Sequence, residues 1–212
     1  MAQHDSHADI ELDDVTLDGI LEVPDEASGI VVFAHGSGSS RHSPRNNYVA
    51  EVLRRRGLGT LLFDLLTEEE DRVRASRFDI PLLTERLVGA VGWLRARDDA
   101  RDPSIGLFGS STGAAAAVRA AARMGDEIEA VVSRGGRVDM ASEVFDAVDS
   151  PTLLIVGGAD RDVLELNREA DAQLACKTTL HVVEGAGHLF EGEEELAEVA
   201  DVAADWFANE LQ

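Results

Sequence analysis

"SIGLFGSSTGAAAA", residues Ser104–Ala117, decides how this chain is read. An apolar run ends at Gly109, and a short apolar run bounded by glycine predicts a strand buried on both faces. The alanine-rich "GAAAAVRAAARM" that follows predicts a strong helix, alanine being the best helix former. Between them, Gly109, Ser110, Ser111, Thr112 and Gly113 fit the pattern G-x-S-x-G in the strand–turn–helix setting that the pattern requires. In such a turn the strand end and helix start come very close, so the residues two places before and after the exposed serine must be small. Ser111 meets that condition, with Gly109 and Gly113. Ser110 does not, because its flanks are Phe108 and Thr112. The competing account is a glycine-bounded loop whose serines merely cap the helix N-terminus.

Outward from this stretch, the same alternation continues. "GIVVFAHG" (29–36), "LGTLLFDLL" (58–66), "IEAVVSRGG" (128–136), "TLLIVGGAD" (152–160) and "TTLHVVEGAG" (178–187) read as buried strands. Helices are predicted from about Asn46 to Arg56, over 82–97, over 163–175 and in the closing "EEELAEVADVAADWFANEL", with a short helix or turn at 141–148. "VTLDGILEVP" (15–24) alternates weakly and suggests an edge hairpin strand, and "TEEEDRVRASRFDIP" (67–81) reads as a long surface connection. Strands alternating with helices predict an α/β fold in three layers: a mostly parallel central sheet, helices on both faces, and no insertion long enough for a lid domain. Residues 1–8 are expected to be a flexible tail and 9–212 a single domain. His4 and His7 are assigned to that tail rather than to a metal site. Trp93, Trp206 and the phenylalanines are assigned to the core, and His35 to a structural role.

The 212 residues suffice for a substantial core. There are 41 acidic residues against 19 basic ones, and the net charge of −22 disfavours nucleic acid and anionic membrane as partners. Acid excess with Lys177 as the only lysine resembles proteins of salt-accumulating organisms. The single cysteine, Cys176, excludes an internal disulfide and suggests a reducing, cytoplasmic setting. The N-terminal stretch lacks the features of a signal peptide, and no apolar run is long enough for a membrane span.

A serine hydroxyl is a weak nucleophile until a base takes its proton and an acid orients that base. The order Ser…Asp…His supplies both. Asp160 ends "TLLIVGGAD" at the carboxyl end of a predicted strand, with Asp162 as the competing acid, and His188 lies in "VEGAGHLF" after the last strand. Loops at the carboxyl ends of parallel strands meet along one crevice, so Ser111, Asp160 and His188 are expected to converge. The glycines of "AHGSGSS" (34–40) allow backbone amides to point inward. The amides of Ser37 and Thr112 are the expected oxyanion donors, with Gly38 the alternative to Ser37. Arg41, His42 and Arg45 follow that loop, and Arg134 and Arg137 follow another strand. Arg41, Arg45 and Arg134 are candidate substrate-binding residues for a carboxylate or phosphate.

Together "FAHGSGSSRHSPRN", "FGSSTGAA", "GGADRDV" and "GAGHLF" resemble the α/β-hydrolase superfamily, and within it the small dienelactone-hydrolase-like proteins, from about residue 20 to the C-terminus. The resemblance implies an acyl-enzyme mechanism without a cofactor. It maps nucleophile, acid and base onto Ser111, Asp160 and His188. The dienelactone hydrolases proper carry cysteine where this chain has Ser111, and the related serine versions are generally esterases or uncharacterised hydrolases. The expected substrate is therefore a small carboxylic ester, lactone or thioester. A peptidase or acyltransferase would share the triad, and a non-catalytic binding module would share only the fold.

Overall fold

Valine, isoleucine, leucine and phenylalanine dominate the central strands, and such residues form strands that can be covered on both sides. The computed structural model describes residues 6–97 and 103–211. Its sheet has eight strands: β1 (Ser6–Glu11), β2 (Thr16–Glu22), β3 (Gly29–Ala34), β4 (Gly59–Phe63), β5 (Ser104–Ser110), β6 (Ala130–Arg134), β7 (Thr152–Gly157) and β8 (Thr178–Val183). The spatial order is β1-β2-β4-β3-β5-β6-β7-β8. The β1–β2 and β2–β4 pairs are antiparallel, and every other pair is parallel.

The helices are α1 (Pro44–Arg55), α2 (Glu68–Asp71), α3 (Ile80–Arg95), α4 (Thr112–Met124), α5 (Arg161–Gln173) and α6 (Glu193–Glu210), with a 3-10 stretch at Val138–Ala147. One face of the sheet packs on α3 and α4 through residues such as Leu87, Val91, Val118 and Val131. The other packs on α1 and α6 through Leu53, Val132, Ala203 and Phe207. The three-layer α/β architecture read from the sequence is the one observed, and no lid domain occurs among the described residues. No helix among these residues is long and apolar enough to cross a membrane.

Three expectations need correction. Residues 6–8, assigned to the tail, form the first half of β1, while residues 1–5, including His4, lie outside the described part. Ala8 and Ile10 point into the core while His7, Asp9 and Glu11 face solvent. Such alternation gains apolar burial on one side only, which is why an acidic edge strand looks like a tail. In consequence β2, expected at the edge, lies between β1 and β4. Among the aromatic residues, Phe78 is 45% exposed, and Trp93 and Trp206 are only partly buried. Arg97 and Lys177 lie over those two indole rings, at 5.0 and 5.1 Å from the ring centroids.

The strand order reverses around β3, since β4 lies on one side of it and β5 on the other. In open α/β sheets the crevice at that reversal, beyond the carboxyl ends of the strands, receives ligands. The two loops that open there are Gly36–Ser40 after β3 and the turn at Ser111 after β5.

Candidate active site

Ser111 joins β5 to α4 with φ 51° and ψ −119°, a left-handed conformation uncommon for a residue with a side chain. Its carbonyl accepts the amides of Ala114 and Arg137, and its own amide donates to the Arg134 carbonyl at 3.2 Å. The surrounding glycines explain how the chain tolerates this. A Cβ on Gly113 would stand 2.1 Å from the Ala34 carbonyl oxygen, and one on Gly109 would stand 2.4 Å from the Ala114 Cα. Neither serine caps α4, contrary to the competing account. The Ser110 hydroxyl is buried and donates to the Asn46 Oδ1 on α1 at 3.2 Å. The Ser111 side chain makes no capping bond, and its hydroxyl has no hydrogen-bond partner among the described residues.

Asp160 ends the turn after β7, and His188 lies in the loop after β8. His188 Nδ1 meets Asp160 Oδ2 at 2.7 Å, with the two side chains 38% and 16% exposed. Asp162, the competing acid, is exposed in the first turn of α5. Close backbone contact brings the two loops together: the Ala159 amide donates to the Ala186 carbonyl at 2.9 Å, and a Cβ on Gly157 would sit 2.3 Å from that same oxygen. Phe190 also has a positive φ of 50° and is buried against the α1–α6 side, which pins the loop two residues beyond the histidine.

The residues after β6 connect the two halves of the site. Arg134 holds the Ser111 amide, and the next residue, Gly135 (φ 53°), lies against the imidazole: a Cβ there would be 3.5 Å from His188 Nδ1 and Cε1. The buried Asn167 of α5 secures this loop by donating to the Gly136 carbonyl at 2.9 Å. Neither Gly135 nor Asn167 was singled out from the sequence. The doubled glycine in "SRGG" was the available signal for the first, whereas a lone asparagine on a helix offers none.

At the expected oxyanion donors, the Ser37 amide donates to the Thr112 hydroxyl at 3.0 Å. Thr112 is the first residue of α4, so its own amide has no partner within the helix. Gly38, the alternative donor, takes φ 72° within a turn closed by the Ser39 amide on the Gly36 carbonyl.

The candidate arginines divide. Arg41 pairs with Asp64 and lies 3.7 Å from Asp18, so its charge is already met by carboxylates. Arg137 is held by both oxygens of Asp139. Arg45 and Arg134 have no carboxylate partner among the described residues.

A model described as an alpha/beta hydrolase domain matches residues 27–210. The chain belongs to the alpha/beta hydrolase family. The chain is similar to a dienelactone hydrolase from Anabaena variabilis ATCC 29413, whose crystal structure superposes with a TM-score of 0.97 at 48% identity over 99% of both chains. Est1E from Butyrivibrio proteoclasticus shares the fold, with a TM-score of 0.82 at 17% identity over 96% of this chain and 98% of that one. Among curated proteins, one from Mycobacterium tuberculosis H37Rv, named "Putative phosphoribosyl transferase", is 56% identical over 197 residues. That match covers 93% of this chain and 44% of the relative, so the chain spans less than half the length of the curated relatives it matches.

Proposed function

We propose that this chain is a serine hydrolase that cleaves small carboxylic esters, lactones or thioesters through an acyl-enzyme on Ser111. The reading is carried by the His188–Asp160 bond at 2.7 Å, formed beside the loop that holds Ser111 in its left-handed turn. Ser111 Oγ attacks the carbonyl carbon as His188 Nε2 takes the hydroxyl proton. Asp160 fixes the ring with its other proton on Nδ1 and stabilises the imidazolium that forms. The amides of Ser37 and Thr112 then stabilise the oxyanion. For Ser37 to do so, the Thr112 hydroxyl must turn away, leaving the arriving oxygen in its place. The imidazolium next protonates the leaving group. A water deprotonated by His188 attacks the acyl-enzyme, and Ser111 is regenerated with release of the acid.

The substrate is expected to be small. The 67–80 connection lies against the oxyanion loop: Asp71 and Arg77 line a cleft together with Gly36, Ser37 and Gly38. A fluorophosphonate probe tests the reading. Wild-type protein is expected to be labelled on Ser111 and to hydrolyse p-nitrophenyl acetate. Ser111→Ala is expected to lose the label and at least about 10⁴-fold in kcat. Labelling that persists in Ser111→Ala, or wild-type protein that neither labels nor turns over any ester of a short-acyl panel, would sink it.

A further inference from the structure

Arg134 is the last residue of β6, paired in register with Ser110. Side chains alternate along a strand, so it lies on the same face as Val132, the face covered by α1 and α6. It is 9% exposed, yet its Nε and Nη1 are buried without a hydrogen-bond partner among the described residues. A buried guanidinium ordinarily occurs with a carboxylate, because loss of hydration is otherwise uncompensated. Burial and the nearby Arg45 charge together lower its pKa to about 10, so it still carries its charge at neutral pH. Arg45 is itself half-buried and has no ion-pair partner among the described residues. It stands in the first turn of α1, the end of a helix at which the backbone dipole is positive. Two cations with no ion-pair partner among the described residues thus lie within Coulombic reach of each other, in a chain with 41 acidic residues against 19 basic ones.

Their position gives the pair its meaning. The Arg134 carbonyl holds the Ser111 amide at 3.2 Å, and Gly135 lies against the His188 ring. Asn46, next to Arg45, holds the Ser110 hydroxyl. Arg134 is therefore one backbone hydrogen bond from Ser111 and adjoins the residue against His188, and Arg45 adjoins the residue that holds Ser110. We propose that Arg134 and Arg45 form an anion subsite beside Ser111, which binds a carboxylate or phosphate carried by the substrate. An incoming anion supplies the hydrogen-bond acceptors that Nε and Nη1 lack and screens the two guanidinium groups from each other. It also gives a protein of net charge −22 a local attraction for an anionic ester that its overall field would repel. The subsite deepens the hydrolase reading and rests on it only for the word substrate.

Two measurements test the subsite separately from the chemistry. The first compares kcat/KM for p-nitrophenyl acetate with that for the mono-p-nitrophenyl ester of succinic acid, which carries a free carboxylate. Arg134→Gln and Arg45→Gln are each expected to lower the anionic-to-neutral ratio about tenfold, mainly through KM. Arg45→Gln, at a half-buried position, keeps the test open if Arg134→Gln does not fold. The second is calorimetric titration of inorganic phosphate and of succinate into Ser111→Ala protein, which needs no turnover. Binding that disappears on adding Arg45→Gln supports the subsite, and the tighter ion identifies its preferred headgroup. A ratio unchanged in the folded variants overturns the proposal, as does the absence of binding by both ions. If the ions bind while wild-type protein neither labels nor turns over esters, the anion site stands and the hydrolase reading is what fails.

Discussion

The imidazole of His35 is engaged at both nitrogens: Nδ1 donates to the Gly36 carbonyl at 3.0 Å and Nε2 accepts the Leu65 amide at 3.1 Å. An amide can only donate, so the ring is neutral with its proton on Nδ1. Burial pushes its pKa below the ordinary histidine value. In the unfolded chain the ring takes up a proton near pH 6.5, whereas the folded ring resists it. Its contribution to stability is therefore present above about pH 6.5 and is lost as the pH falls through the lower folded value. Thermal unfolding measured from pH 8 down to pH 5 is expected to show this acid limb in wild-type protein and a shallower one in His35→Ala. At pH 8 the same variant is expected to be less stable by about 1–3 kcal/mol, because the buried Leu65 amide loses its acceptor. At this scale the sequence was informative where sterics act locally. Gly109 and Gly113 pointed to Ser111 over Ser110, and the structure shows the backbone atoms that a side chain would strike.

Among the elements, the 67–80 connection differs most from its sequence reading. It contains α2, opened by reciprocal bonds: the Thr67 hydroxyl accepts the Glu70 amide at 3.2 Å and Glu70 accepts the Thr67 amide at 2.9 Å. The T-x-x-E spacing was visible in the sequence. A four-residue helix, however, has no apolar periodicity to draw attention to it. Arg86 on α3 ties the segment down, donating to Glu70 at 3.0 Å and to Asp14 at 2.6 Å while only 5% exposed. Replacing it with methionine, Arg86→Met, is expected to cost about 1–3 kcal/mol and to speed amide exchange over residues 67–78 more than over β5 or β6. Uniform acceleration across the sheet would show that Arg86 supports the whole molecule rather than this segment.

For the whole molecule, charge is the dominant variable. With net charge −22, most carboxylates lack a basic partner and repel one another across the surface. Salt shortens the screening length from about 30 Å at 0.01 M to about 3 Å at 1 M, which weakens that repulsion. It also weakens the exposed pairs, such as Arg56 with Asp205, but such pairs contribute little. The unfolding temperature is accordingly expected to rise between 0.01 and 1 M sodium chloride, as followed by circular dichroism. A flat or falling curve would remove the basis for comparing this composition with that of salt-adapted proteins.

By itself, the sequence determined what depends on neighbours along the chain: the buried strands, the alternation with helices that makes the sheet mostly parallel, and the glycine-flanked turn at Ser111. Only the tertiary structure decided which of Asp160 and Asp162 meets His188, that residues 6–11 close the sheet as its edge, and that Arg134 is buried with no acid among the described residues to pair with. Each of these depends on groups brought together from distant segments. Local pattern records whether a residue favours burial or a turn, but the partner of a buried charge is set by what the rest of the chain places beside it.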